Sequence, residues 1–245
     1  MEKPSDMKRI LFAILFITSS VSVAFSQETI NDANAIKRTV GSFHGIDVAT
    51  GIKLILTKGE TEEVAVSAST TEFRDKIVTE VVNGVLKIHY ETKTGAINKR
   101  NENKNLKAYV SYKAIDKLNV TTGAEVEIKG VLKSASLKMT ANTGGIVKGA
   151  IDVDELEVNQ NTGSEIHFSG TADKLDVDGD TGSIFKGYEL KTDNCDVRVS
   201  TGAGIYISVD KELNVRANTG GYVKYKGNAG IRDIKTNTGG AVSRG

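Results

Sequence analysis

The sequence has little of three residue types that constrain a fold. Its 245 residues include one cysteine, one proline and no tryptophan. A single cysteine excludes an intrachain disulfide, so the fold must be held together by its packed core. The near absence of proline leaves long stretches free to form regular hydrogen-bonded structure, while 25 glycines provide for many turns. These features indicate a regular, strand-rich chain.

No excess charge of either sign is present. The 32 basic and 31 acidic residues almost cancel over the whole chain, and they cancel fully beyond residue 26. This balance predicts no nucleic-acid partner and no attraction to an acidic membrane surface. The histidines, His44, His89 and His167, are too scattered to predict a metal site. No cofactor is predicted, and no Ser-His-Asp triad can be defined from sequence order.

The N-terminus has the pattern of a secretory signal peptide. Lys8 and Arg9 precede the apolar run "ILFAILFI", and small residues follow as far as Ala24 and Ser26. We predict cleavage after Ser26, which leaves Gln27 as the first residue of an exported protein in the periplasm, on the cell surface or outside the cell. The alternative is a retained anchor, but the run is short for a membrane span. No later stretch is apolar enough to cross a bilayer.

A Thr-Gly pair recurs through the second half of the chain, usually as "NTG" or a close variant. A period near 20 residues indicates a stacked repeat, and it is too short for two helices. We therefore predict an all-β fold, a right-handed parallel β-helix (solenoid) with coils of ~20 residues. Each glycine is expected at a structural corner that needs a backbone conformation closed to side chains with a Cβ. These corner glycines are Gly123, Gly144, Gly163, Gly182, Gly202, Gly220 and Gly239.

Apolar residues alternate with polar ones on both sides of each corner, as in strands. One predicted core column lies three residues after the corner glycine: Val126, Val147, Ile166, Phe185, Ile205, Val223 and Val242. A second column precedes the corner: Leu137, Leu156, Leu175, Cys195 and Leu213. Because Cys195 replaces a leucine there, we interpret it as a small buried apolar residue and not as a nucleophile.

The domain organisation follows from where the repeat begins. Residues 1–26 are the predicted signal peptide, and 27–38 a flexible mature N-terminus. Residues 39–245 are predicted to form a single β-solenoid domain, with an N-terminal strand region over 39–113 and the Thr-Gly repeats over 114–245. The first region should cap the solenoid and protect its strand edges. Within it, "VNGVL" predicts a tight hairpin, and residues 92–105 an exposed loop.

Three segments in this order carry a resemblance to a known family. They are "FHGIDVATGIKLILTKG" (43–59), "VTEVVNGVLKIHY" (78–90) and "YKAIDKLNVTTGAEVEIKG" (112–130). The chain resembles the putative auto-transporter adhesin head GIN domain family, from about Phe43 to its C-terminus. The GIN triplet reads Gly51-Ile52-Lys53 here. The resemblance implies an exported, β-helix-like, adhesin-like protein of the kind found largely in Bacteroidetes-type bacteria.

An acidic stretch, "DVDGDTG" (176–182), is a candidate cation site through Asp176, Asp178 and Asp180. It departs from a calcium loop, since its glycine comes one position late and Gly187 stands where a glutamate is needed. In stacked coils Asp176 would also neighbour other acids, and either a cation or Arg198 would have to offset their repulsion.

The outward residues after the corners form the predicted partner or ligand surface. Apolar and aromatic side chains there are flanked by lysines, and a contiguous patch of such residues can mark a partner or ligand surface. The residues are Ile146, Lys148, Ile184, Lys186, Tyr206, Tyr222 and Lys224. The alternative is an ordinary solvated strand, or a strand covered by the N-terminal half.

The sequence thus predicts an exported, non-enzymatic, adhesin-like β-solenoid at the cell envelope. Its partner would be a glycan, an envelope component or another copy of itself. One alternative is a carbohydrate-active β-helix enzyme, a polysaccharide lyase or hydrolase, which would gather acids on one outer face. Another is a purely structural envelope protein.

Overall fold

The computed structural model describes residues 32–91 and 103–245. The predicted signal peptide, the Ser26–Gln27 cleavage site and most of the predicted loop over 92–105 lie outside these ranges. The structure is nearly all β and forms a solenoid of about seven turns, as the repeat predicts. The described residues contain no helix long and apolar enough to span a membrane.

The elements follow one another with short connections through most of the chain. They are β1 (Ile36–Arg38), β2 (Gly45–Val48), β3 (Lys53–Lys58), β4 (Glu63–Ser67), α1 (Thr71–Asp75), β5 (Ile77–Val82), β6 (Val85–Tyr90), β7 (Lys107–Tyr112), β8 (Lys117–Val120), β9 (Glu125–Ala141), β10 (Ile146–Gln160), β11 (Glu165–Gly179), β12 (Ile184–Val199), β13 (Gly204–Ala217), β14 (Tyr222–Lys226), β15 (Gly230–Thr236) and β16 (Ala241–Arg244).

Parallel pairing stacks each coil on its copy. Strands β9 to β13 pair in order, and Leu156 lies beside Leu137 on one side and Leu175 on the other. Beyond β13, the next coil divides into β14 and β15, and β16 continues the stack on β14. Equivalent side chains therefore form columns along the solenoid axis, separated by the ordinary strand spacing of ~4.8 Å.

The corners are tight turns in which both central residues have a left-handed backbone. The seven corner glycines have φ between 66° and 77°, and the threonines before them have φ between 46° and 54°. In the corner at Asn142, the N–H of Gly145 donates to the carbonyl of Asn142 at 3.0 Å, which closes a type I′-like turn. The sequence predicts the glycine but not the left-handed threonine, which is strained by roughly 1–2 kcal/mol because it is β-branched.

Hydrogen bonds within and between coils hold this strained threonine in place. The side chain of Asn142 accepts a bond from the N–H of Thr143 at 2.7 Å, and Asn161 does the same for Thr162 at 2.6 Å. The N–H of Gly144 then donates to the carbonyl of Thr162 in the next coil at 3.0 Å. The side chains of Asn142, Asn161 and Asp180 therefore act inside their own turns, and the backbone forms the ladder from coil to coil.

An eighth corner lies far upstream of the others. Thr50 and Gly51 have φ of 58° and 69°, and the Gly51 N–H donates to the Thr122 carbonyl at 3.0 Å. Strands β2 and β3, on either side of this corner, pair in parallel with β8 and β9. The stacked coils therefore begin within 39–113, and the inserted residues 60–113 hide the period in the sequence.

The inserted segment caps the solenoid, as predicted. Strands β6 and β7 continue the parallel stack on β2 and β3. Antiparallel strands then cover them, with β5 on β6, β4 on β7 and β1 on β4. The predicted hairpin joins β5 to β6 through Asn83 and Gly84, whose φ values of 51° and 75° are those of a type I′ turn.

The two predicted core columns are buried, apart from Val242 in the last coil, which is partly exposed. Phe168 and Phe185 pack edge to face inside, with ring centroids 6.4 Å apart. Alternation between inward and outward residues is thus the main reason that this sequence forms a solenoid, since a shift of one residue would turn each column to solvent.

Cys195 is a buried thiol at a position that is leucine in the neighbouring coils. It is 2% exposed, its sulfur lies 2.8 Å from the hydroxyl of Thr192, and burial raises the pKa of the thiol to about 12. Because the thiolate is the reactive form, we expect no modification of the native protein by a thiol reagent at pH 8 and complete modification in denaturant. Rapid labelling of the native protein would contradict the assignment of Cys195 to the core.

Candidate ligand-binding face

The strands that follow the corners share one outward surface, here called the corner face. It consists of the residues two and four positions after each corner glycine, together with Tyr188, which packs beside them on β12. Parallel register lines up the first column as Glu125, Ile146, Glu165, Ile184, Gly204, Tyr222 and Ala241. It lines up the second as Glu127, Lys148, His167, Lys186, Tyr206, Lys224 and Ser243.

The N-terminal half of the corner face is a network of paired charges. Glu165 binds both Lys186 and His167, with His167 Nε2 2.5 Å from Glu165 Oε1. The hydrogen bond from Lys186 lowers the pKa of Glu165. Since Glu165 lies between Ile146 and Ile184 in the first column, these two isoleucines do not form a continuous apolar patch.

The C-terminal half carries three tyrosines on consecutive coils, here called the tyrosine row. The Tyr206 ring lies 5.4 Å from that of Tyr188 and 5.9 Å from that of Tyr222, in both cases nearly perpendicular. The Tyr206 and Tyr222 hydroxyls are 3.2 Å apart, and their hydrogen bond raises the pKa of Tyr222. The row is therefore a rigid, partly exposed aromatic surface with hydroxyl groups at its edge.

Gly204 makes room for one end of this row. A Cβ at position 204 would overlap the phenol end of the Tyr222 ring, so the ring lies over a strand residue that has no side chain. A glycine among outward strand residues has low β propensity, and here the close approach of the ring accounts for it.

Tyr188 is the member of the row that sequence reasoning missed. It lies six positions after its corner, where β12 has extra residues relative to both neighbours, and the register shifts there. The bulge turns Tyr188 outward, and Lys226 lies over its ring at 4.2 Å from the centroid. The spacing of the corner glycines carried a sign of this bulge, because Gly182 and Gly202 are 20 residues apart and the next interval is only 18.

Beside Tyr188 lies an open pocket of about 570 Å³, here called the face pocket. Buried Ile128 and Phe168 form part of its lining. Shifts of register at Lys148/Ala150 and His167/Ser169 interrupt regular pairing at the same place. The full lining is Ile128, Gly130, Lys148, Gly149, Ala150, His167, Phe168, Ser169, Lys186, Tyr188 and Glu189.

The candidate cation residues are occupied by protein contacts. Arg198 binds Asp176 at 2.7 Å and Asp178 at 3.4 Å. Asp180 belongs to a corner, where it accepts from the N–H of Thr181 and the hydroxyl of Ser200. In residues 32–91 and 103–245, no group of three or more His, Cys, Asp or Glu side chains is placed to hold a metal ion.

Burial raises the pKa of Asp176, and the nearby Asp196 and Glu157 act in the same direction against Arg198. The repulsion expected from the stacked acids is therefore present, and Arg198 is the group that offsets it.

Comparison with known families gives a match over most of the chain. The family model described as "Putative auto-transporter adhesin, head GIN domain" matches residues 42–229. The chain belongs to this family. Family and fold together make this head GIN domain protein adhesin-like. No match was found among curated proteins.

Solved structures from three bacterial species share the head GIN domain protein's fold. A putative adhesin from Bacteroides fragilis has a TM-score of 0.77 at 15% identity, covering 87% of this chain and 98% of that one. A putative lipid binding protein from Parabacteroides distasonis has a TM-score of 0.66 at 17% identity, covering 87% and 98%. A putative adhesin from Parabacteroides merdae has a TM-score of 0.65 at 15% identity, covering 86% and 95%. At these identities the likeness establishes the fold alone.

Proposed function

We propose that this head GIN domain protein is exported and binds an envelope polysaccharide through the corner face. The tyrosine row carries this proposal. Tyrosine offers a large apolar ring together with a hydroxyl, which suits sugar rings that have apolar faces and polar edges. The row lies on a rigid sheet, so little side-chain entropy is lost on binding.

The shape of the surface favours a linear chain of sugars over a compact ligand. The ring centroids of tyrosines on successive coils are 5.4 and 5.9 Å apart, so the rings repeat at a separation comparable to the length of one sugar unit in an extended polysaccharide. Hydroxyls, lysines and glutamates beside the row offer both donors and acceptors. A polysaccharide lying along the axis could therefore repeat similar contacts from coil to coil.

The electrostatics of the face give no support to an enzyme. A glycosidase needs a general acid whose pKa is raised, together with a second carboxylate. On the corner face the pKa values of Glu127 and Glu165 are instead lowered by hydrogen bonds from Lys129 and Lys186. Asp176, whose pKa is raised, lies outside the corner face and is held by Arg198.

Retention on polysaccharide tests this function. The chain without residues 1–26 should be retained on immobilised envelope polysaccharide of the producing bacterium, and soluble polysaccharide should release it. No reducing ends or unsaturated products should appear on prolonged incubation. Product release would favour the enzyme alternative, and absence of binding to polysaccharide and whole cells would favour a purely structural protein.

Export has its own test. From the basic start and short apolar run, we expect the mature protein to begin at Gln27. Intact mass spectrometry of the protein from the periplasm, cell surface and medium measures this directly. A protein that keeps residues 10–25 and remains in the membrane fraction would contradict the prediction.

A further inference from the structure

The face pocket continues the tyrosine row toward the N-terminal end of the corner face. Tyr188 belongs to both, because it lines the pocket and packs against Tyr206. A polysaccharide lying on the row along the axis would therefore pass directly over the pocket.

The pocket has the mixed lining that a single sugar unit requires. Ile128 and Phe168 are buried apolar side chains beneath it, and Tyr188 supplies an aromatic wall. Lys226 already lies over the Tyr188 ring at 4.2 Å, which holds the ring in position. A sugar's apolar face can rest on such a ring while its hydroxyls reach polar groups at the rim.

The positive charge at the rim is partly exposed and is paired with glutamates of the corner face. Lys148 and Lys186 are each about half exposed, with side-chain accessibilities of 50% and 46%. Lys148 lies 3.4 Å from Glu125, whereas Lys186 shares Glu165 with His167. Exposed pairs of this kind contribute little to folding, so a ligand carboxylate can replace the glutamates at small cost.

One carboxylate at the rim constrains the ligand's orientation. Glu189 also lines the pocket, and it would repel an anionic group placed beside it. The acidic group of a ligand must therefore lie toward Lys148 and Lys186, and Glu189 is left to accept hydrogen bonds from hydroxyls.

From this arrangement we infer that the face pocket binds one acidic sugar residue of a linear polysaccharide, with Tyr188 against the sugar ring and the sugar's carboxylate facing the column formed by Lys148, His167 and Lys186. The inference rests on the proposed function and adds a ligand class to it: polysaccharides that contain uronic acids. Binding should weaken with salt, as contacts between exposed charges do.

Two polymers with the same sugar backbone, one charged and one neutral, provide the test. Polygalacturonate has a carboxylate on every sugar, and its fully methyl-esterified form has the same backbone without the charge. We expect the chain without residues 1–26 to bind polygalacturonate at least about tenfold more tightly, as measured by affinity electrophoresis or calorimetry.

Two variants assign the preference to the pocket. Lys148→Gln with Lys186→Gln should remove most of the preference for the charged polymer, and Tyr188→Ser should weaken binding of both polymers. The matched control is Lys133→Gln with Lys138→Gln. These lysines also pair with acids of an adjacent coil, Asp152 and Glu157, but they lie outside the corner face. The control should bind as the unmodified chain does.

The outcomes separate this inference from the function on which it rests. If the Lys148/Lys186 variant keeps the full preference while Tyr206→Ser with Tyr222→Ser loses binding, the face binds polysaccharide but the pocket does not select the acid. Equal binding of the two polymers by the unmodified chain would also overturn the inference. If the unmodified chain binds neither these polymers nor envelope polysaccharide, the proposed function fails with it.

Discussion

Gly170→Val is expected to destabilise the protein by about 4 kcal/mol. This value is the sum of the cost of backbone strain and the cost of overpacking. Gly170 has φ of 107°, a conformation that valine rarely adopts. A Cβ at this position would also overlap the carbonyl oxygen of Ile151 in the preceding coil. Since a backbone atom cannot move aside as a flexible side chain can, two coils would have to separate. The denaturant midpoint of unfolding, followed by circular dichroism, measures the loss.

Two further variants separate the causes of this loss. Gly182 has φ of 67°, but nothing lies within 4 Å of the position that a Cβ would take, so Gly182→Val should cost only the strain, about 1–3 kcal/mol. Lys186→Val changes an exposed strand position and should stay within about 0.5 kcal/mol. Equal midpoints for the three variants would contradict both the corner geometry and the register of the coils.

The double variant Tyr206→Ser with Tyr222→Ser is expected to lower affinity for the polysaccharide about a hundredfold. A loss of about 1.4 kcal/mol from each of two central aromatic residues, which is within the range of such residues at binding surfaces, gives this factor. Neither side chain points into the core, and both are only partly buried. The unfolding midpoint should therefore change little while binding, measured by retention on the immobilised polymer, is lost.

Tyr206→Phe with Tyr222→Phe is the matched control for that variant. It keeps both rings and removes only the hydroxyls, which are 3.2 Å apart and bond each other. If ring stacking dominates, the phenylalanine variant should retain most of the affinity. Unchanged binding by the serine variant would show that the corner face is an ordinary solvated surface, and its unfolding would show that the inward and outward assignments are reversed.

The fold could be predicted from the sequence because the two-residue alternation and the Thr-Gly repeat both indicate stacked strands. Alternation of two residues gives strands, and the return of Thr-Gly every 18 to 21 residues gives coils. Each inward column then has the same or a similar apolar residue in successive coils, as with Leu137, Leu156 and Leu175. What was missed is the start of the stack at Thr50-Gly51, because the cap is inserted between that coil and the next one.

The candidate site was less predictable than the fold. Tyr206 and Tyr222 follow directly from alternation, but Tyr188 lies on a bulge, where alternation fails. The Tyr222 ring lies over Gly204 of the neighbouring coil, and no local sequence pattern predicts this contact between coils. The left-handed threonines were also missed, since propensity alone disfavours a β-branched residue there and only the hydrogen bonds of the stacked corners compensate.

The most direct test of the central claim is fluorine NMR of the chain with 3-fluorotyrosine at its seven tyrosines, titrated with polygalacturonate. Single Tyr→Phe variants assign the signals. Binding through the corner face predicts that the resonances of Tyr188, Tyr206 and Tyr222 shift, while those of the buried Tyr90 and Tyr112 stay in place. Binding that leaves the three tyrosine-row signals unmoved, or no binding of either polygalacturonate or envelope polysaccharide, would contradict the claim.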